Sequence, residues 1–85
     1  MRQQLIDFIN DDLLADQDGV TVGGDDELLV EGYVDSLGVM RLVSFIESEL
    51  QIRVPPQHIT IEHFASVDVL VAYLEGQRAE AAAQQ

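Results

Sequence analysis

Apolar residues recur at helical spacing in three stretches of the chain. Leu5, Ile6, Ile9 and Leu13 share one face of a helix predicted over about Gln3 to Ala15, with Gln3, Gln4, Asp7, Asn10 and Asp11 largely opposite. After Asp35 a second stripe passes through Val39, Leu42, Val43, Ile46 and Leu50. A third, from Val67 to about Glu75, turns Val67, Leu70, Val71 and Leu74 inward. The punctuation agrees with this division. Asp35 is an N-cap whose charge suits the positive end of a helix dipole. Ser66 caps the third stretch, Asp68 charges its first turn, and Gly76 predicts its stop.

The connection from Asp16 to Val34 contains Gly19, Gly23, Gly24 and Gly32, and is long against the ~2–8 residues usual between helices. Leu28, Leu29 and Val34 are the residues expected to anchor it to the core. Val20-Thr21-Val22 alternates weakly, but a two-stranded piece is marginal alone, so the segment reads as loop. Pro55-Pro56 breaks the chain again, and Thr60 to Phe64 predicts one short helical turn capped by Thr60. Gln77 to Gln85 is alanine-rich without an apolar face, and is expected to be a frayed or disordered tail. The expected domain is therefore 1–76, with 77–85 as tail. The fold class is all-α: a small four-helix up-down bundle, three main helices and one short, with a long first loop.

Composition narrows the functions. The length suits one domain, and 47% apolar residues suffice for one modest core. Sixteen Asp and Glu face four Arg and no Lys, a formal net charge of −12. No basic patch is available to neutralise phosphates, which excludes nucleic acid, and anionic membrane surfaces would repel the chain. Met1 to Asn10 lacks a long apolar run, so neither a signal peptide nor a membrane insertion is expected. Without cysteine there is no disulfide, thiolate nucleophile or sulfur-ligated zinc. The expectation is a cytoplasmic monomer. Ten of the sixteen acids lie between Asp7 and Asp35, whereas the second stripe carries Arg41 and only Glu47 and Glu49. Such a distribution predicts self-repulsion eased by salt or divalent cations.

Candidate chemistry centres on Gly32-Tyr33-Val34-Asp35-Ser36-Leu37. Taken alone, Asp35-Ser36-Leu37 is a cap followed by a first turn, a common arrangement. Its placement adds more, because Ser36 would stand at the exposed N-terminus of a helix, after a long loop. Open backbone N–H groups and the dipole favour a phosphate there. In so acidic a chain, a covalent bond to the serine hydroxyl holds a phosphate better than charge pairing does.

The stretch Val34-Asp35-Ser36-Leu37-Gly38-Val39-Met40-Arg41-Leu42-Val43-Ser44-Phe45-Ile46-Glu47, followed by Val54-Pro55, resembles the acyl and peptidyl carrier protein family. The likeness extends over nearly the whole chain and is closest to the stand-alone type. It implies a non-enzymatic carrier in which Ser36 receives a 4′-phosphopantetheine arm from coenzyme A and cargo rides on the terminal thiol as a thioester. Asp35 would lie close to where the transferase holds magnesium and coenzyme A. Leu37 and Met40, which fall off the apolar stripe, would be apolar contacts for partner enzymes, with Arg41 beside them. The implied partners are a phosphopantetheinyl transferase, an acyl- or aminoacyl-activating ligase, and a downstream synthase or transferase. Fatty-acid-synthase carriers usually continue with acidic residues along the second helix; here Gly38 and Arg41 stand instead. The segment from Pro55 to Ser66 is more similar to that of carriers serving amino-acid-activating ligases or secondary metabolism. A specialised biosynthetic pathway is thus expected, with housekeeping fatty-acid synthesis as the alternative.

Four other readings are weaker. Counting Asp16 as the first residue of a calcium loop puts Asp18 at the third position and Glu27 at the twelfth, but Val20 and Thr21 occupy positions that need an oxygen ligand and a glycine. A serine-hydrolase elbow fails because Val34 stands where a glycine is required and no sheet supports the turn. His58 and His63 have the wrong spacing for one helical face and are expected to be surface or loop residues rather than a metal pair. An unmodified acidic interaction module would explain the charge but leave the placement of Asp35-Ser36-Leu37 to coincidence.

Overall fold

The computed structural model describes residues 1–15 and 19–83. The first helix, α1, spans Arg2–Phe8 and buries Leu5 and Ile6, as its periodicity requires. It then widens by one residue over Ile9–Leu13, where the Leu14 N–H donates to the Ile9 carbonyl at 2.8 Å. This five-residue step turns the following residues forward by one position. Leu14 therefore enters the core at 2% exposure, while the expected Leu13 is only half-buried. The widened turn also gives Asn10 a task that its place on the polar face did not suggest. Its side-chain amide donates to the Val22 carbonyl at 3.1 Å, and its oxygen accepts from the Val22 N–H at 2.8 Å. A single amide thus plays the part of a neighbouring strand, and Val22 is buried with no sheet among the described residues.

The second helix, α2, runs Ser36–Glu49 and buries Val39, Leu42, Val43 and Ile46 along the expected stripe. A single 3₁₀ turn, Pro56–His58, precedes the short α3, Ile61–Phe64, where the Thr60 hydroxyl accepts from the His63 N–H at 3.4 Å. The last helix, α4, runs Val67–Ala83, and the Ser66 hydroxyl caps it by accepting from the Val69 N–H at 3.2 Å. The expected stop at Gly76 is absent. Gly76 costs the helix about 1 kcal/mol relative to alanine but does not end it, because residues 77–83 are strong helix formers. The Gln77 side chain adds a tie by donating to the Arg53 carbonyl at 3.3 Å. Residues 77–83 thus continue the helix where a tail was expected.

Together these helices make a small four-helix bundle among the described residues. Its centre is Leu5, Ile9, Leu42, Ile46, Phe64, Val67, Leu70 and Leu74, each at most 1% exposed. Burying a side chain of this size stabilises the fold by roughly 1.5–3 kcal/mol. The long loop is sewn to the α3–α4 junction by main-chain bonds, Leu28 N–H to Ala65 at 2.8 Å and Asp68 N–H to Gly24 at 2.9 Å. Leu28 and Val34 are buried there and Leu29 is half-buried, as anchors should be. The Arg2 guanidinium, 2.7 Å from the Asp68 carboxylate, closes over the same place. Among the described residues, no helix is long and apolar enough to cross a membrane.

Candidate functional site

The loop delivers the chain to α2 through two backbone devices. Gly32 takes φ +78°, a conformation that side chains with a Cβ resist, and its N–H closes a turn onto the Leu29 carbonyl at 3.2 Å. Val34 N–H then bonds the Leu28 carbonyl at 3.0 Å, which presses Val34 into the core. Asp35 is extended, at φ −99° and ψ −173°, and its carboxylate accepts from the Gly38 N–H at 2.8 Å, the N-cap its sequence predicts.

Gly38 itself is buried. A Cβ there would stand 2.9 Å from a Val34 methyl and 3.4 Å from the Asp35 carboxylate. The glycine is thus a packing requirement, which removes it from the open second-helix surface to which its sequence position assigned it. Arg41 remains on that surface, half-exposed and paired with Asp12 of the widened turn after α1. The pair ties α2 to the first helix and offsets the reversed charge that the sequence places there.

Ser36 is exposed, and its hydroxyl makes no hydrogen bond to any described residue. Helix geometry leaves its N–H and that of Leu37 without intrahelical partners. Around it stand three large exposed apolar residues: Leu37 at 71%, Met40 at 52% and Ile61 at 65%. Exposed apolar side chains scattered singly need no explanation, but three beside one unengaged hydroxyl form an exposed apolar patch. A mostly apolar cleft of about 500 Å³ opens on the same flank, with Ser36, Val39 and Met40 on one side and Ile59, Ile61 and Phe64 on the other. Leu37 and Met40 are thus brought to Ser36 as expected, and Ile61, unmarked by the sequence reading, joins them from α3.

Behind the cleft wall lies a cluster that helical spacing could not reveal. The His58 and His63 ring centroids are 5.9 Å apart, and His63 stacks on Tyr73 of α4 at 4.3 Å. His58 Nδ1 lies 2.6 Å from the Tyr73 hydroxyl. The 3₁₀ turn and the Thr60 cap fold the two histidines onto one side, so both are half-buried against α4 rather than loosely exposed. Burial pushes the Tyr73 phenol above its ordinary pKa. Of the candidate calcium ligands, Asp16 and Asp18 lie outside the described residues. Among those described, no three His, Asp or Glu side chains gather in a way that could hold a metal ion.

A family model described as the phosphopantetheine attachment site matches residues 3–74. No individual curated protein matches the chain. The matched span begins in α1, takes in the loop, all of α2 and α3, and ends at Leu74 in α4. Residues at the start of α2 fit such a group. A solvent-facing hydroxyl is available for a phosphodiester, unpaired N–H groups and a helix dipole favour the anion, and an apolar cleft lies alongside.

Proposed function

The chain belongs to the phosphopantetheine-attachment family of carrier domains, whose cofactor is covalently attached 4′-phosphopantetheine, and we propose that Ser36 is the residue that bears it. Domains of this family are non-catalytic and work with phosphopantetheinyl transferases and with enzymes that load or consume acyl groups. In our reading this chain is such a carrier and not an enzyme. It takes acyl or aminoacyl intermediates from an activating ligase and presents them to a synthase or transferase. The observation that carries the reading is the unengaged Ser36 hydroxyl at the start of α2, beside an apolar cleft.

When bound, the arm supplies a terminal thiol that holds cargo as a thioester. The chain's own residues do the rest. Asp35 spends one carboxylate oxygen on the Gly38 N–H, which fixes the first turn and keeps Ser36 pointing out of it. Ser36 has no described side-chain partner, so a transferase would have to bring the base that removes its proton, and Asp35 beside it would face the magnesium that the transferase holds. The open N–H groups of Ser36 and Leu37 would favour the phosphodiester anion. Leu37, Met40 and Ile61 offer partners an apolar surface whose contact need only be brief, because the tether keeps cargo at high local concentration. In our reading the carrier works in the cytoplasm, where coenzyme A is available as donor.

We place it in a specialised pathway rather than housekeeping fatty-acid synthesis. The support is the composition of α2: Gly38 is buried, Arg41 is held by Asp12, and acids occur only at Glu47 and Glu49. A basic partner patch finds little to pair with there. Two measurements test the reading. Incubation with coenzyme A, magnesium and a permissive transferase should raise the intact mass by one phosphopantetheine in the native chain and not in Ser36→Ala. Equal gains, or none in either, would overturn it. For the pathway, Arg41→Glu should raise loading by a fatty-acid-pathway enzyme; unchanged loading removes that argument.

A further inference from the structure

Every cationic side chain over these 85 residues that holds its charge at neutral pH is an arginine: Arg2, Arg41, Arg53 and Arg78, with no lysine and no cysteine. On a chain that displays a thioester, this is a chemical property of the surface. A neutral lysine amine attacks a thioester carbonyl; the C–N bond forms, the C–S bond breaks, and the sulfur leaves as a thiol with the amine's proton. A cysteine thiolate would take the acyl group by the same displacement. Roughly 1% of a lysine with its ordinary pKa is neutral at about pH 8.5, whereas a guanidinium keeps its proton and offers no lone pair.

Two of the arginines stand where such an attack would be easiest. Arg41 lines a pocket at the start of α2 together with Asp35 and Leu37, the two chain neighbours of Ser36. It is half-exposed and lies about 7.5 Å along the helix from Ser36, at 1.5 Å per residue. Arg53 lines an open groove further along α2, with Gln51 beside it, and the Met40 and Ile59 of that groove also wall the cleft next to Ser36. An extended phosphopantetheine arm spans about 18 Å at roughly 1.2 Å per backbone bond. The body is 21 Å wide across its two shorter axes, so a thioester on the arm reaches both arginines. The other nucleophiles are engaged or weak. His58 Nδ1 lies 2.6 Å from the Tyr73 hydroxyl and His63 stacks on the same ring, so Tyr73 occupies both imidazoles on the α4 side of α3. Burial keeps the Tyr73 phenol protonated to higher pH than usual. Ser48 donates to the Ser44 carbonyl and Ser66 caps α4, and a hydroxyl without an adjacent base is a poor nucleophile.

We infer that this all-arginine surface keeps cargo on the arm: Arg41 and Arg53 put positive charge within reach of the thioester without an amine that could accept the acyl group. This rests on the carrier reading. Arginine is the cation that reconciles the two demands made on this face. Charge is needed, because Arg41 ties α2 to Asp12 in an acidic chain. Inertness is needed too, because a tether that raises the local concentration of cargo at a partner raises it equally at the carrier's own side chains. A guanidinium can donate to a thioester carbonyl and leave the C–S bond intact. Aminoacyl thioesters, made more electrophilic by their ammonium group, gain most from such a surface, since a lysine would capture them soonest.

Adding an amine and following the acyl group tests this. The native chain, Arg41→Lys, Arg53→Lys and Arg53→Gln are each loaded from acetyl-coenzyme A by a permissive transferase, checked by intact mass and held at about pH 8.5, where a lysine is partly neutral. Hydroxylamine then cleaves whatever is still a thioester and leaves an amide untouched. The native chain and Arg53→Gln should return fully to the mass of the cargo-free holo form. Both lysine variants should keep most of their acetyl, and fragmentation should place it on the new lysine. Acetyl retained by the native chain on any of its own residues, or full release from either lysine variant, overturns the inert surface alone. Failure of the native chain to gain the mass of acetyl-phosphopantetheine overturns the carrier reading.

Discussion

At its first turn α2 contains a glycine, Gly38, where helix propensity disfavours one; just past its last turn it has glutamine where the backbone favours glycine. The N-terminal glycine is there for space, since a Cβ would press on Val34 and on the cap that fixes the turn. The C-terminal Gln51 holds a left-handed φ while keeping a polar side chain in a cavity wall. One end of the helix gives up a side chain to build its site, and the other accepts strain to keep one. Packing at Gly38 and backbone geometry at Gln51 thus each run against the preference of the local backbone, in opposite directions.

Exchanging those choices should give stability changes of opposite sign. Gly38→Val is the largest expected effect: overpacking against Val34 should cost about 2 kcal/mol in denaturant unfolding, despite the better helix former. An unchanged midpoint would mean that the junction has slack. Asp35→Ala should follow at about 1 kcal/mol through loss of the Gly38 N–H acceptor, with Asp35→Asn retaining most of the stability. At the far end, Gln51→Gly should stabilise by about 0.5 kcal/mol, relief of the left-handed strain being partly offset by the added freedom of the unfolded chain. A loss there would contradict the strain.

The smallest effect lies under the segment that follows Gln51. Burial raises the Tyr73 pKa, so the folded chain holds that proton to higher pH than the unfolded chain does. Its contribution to stability is complete below the ordinary value of 10.0 and is lost as pH rises through the higher folded value. Alkaline unfolding curves should become slightly flatter in Tyr73→Phe, and curves that superimpose would argue against a buried phenol.

Much of the N-terminal end was legible because its signals are local. A capping carboxylate bonds an N–H three residues away, and an apolar stripe repeats every third or fourth residue. Asp35, Thr60 and Ser66 all cap as their types suggest. What escaped the sequence depends on partners far along the chain. Leu14 replaces Leu13 because one wide turn, whose Asn10 holds Val22, shifts the register. Gly38 is buried because Val34, drawn inward by Leu28, occupies its space. His58 and His63 meet because Tyr73 lies beneath both, a pairing absent from their spacing. Gly76 was read as a stop, but nothing there takes the left-handed turn that would end the helix.

The chain has four serines, and their settings differ: Ser66 is buried as a cap, Ser48 donates to the Ser44 carbonyl, and Ser36 alone opens α2. Fragmentation mass spectrometry of the transferase-treated protein measures which of them carries the added phosphopantetheine. The account predicts that all of it resides on the peptide containing Ser36 and that the other serines stay unmodified. Modification at Ser44, Ser48 or Ser66, or a Ser36 peptide that remains bare under full loading, would contradict it.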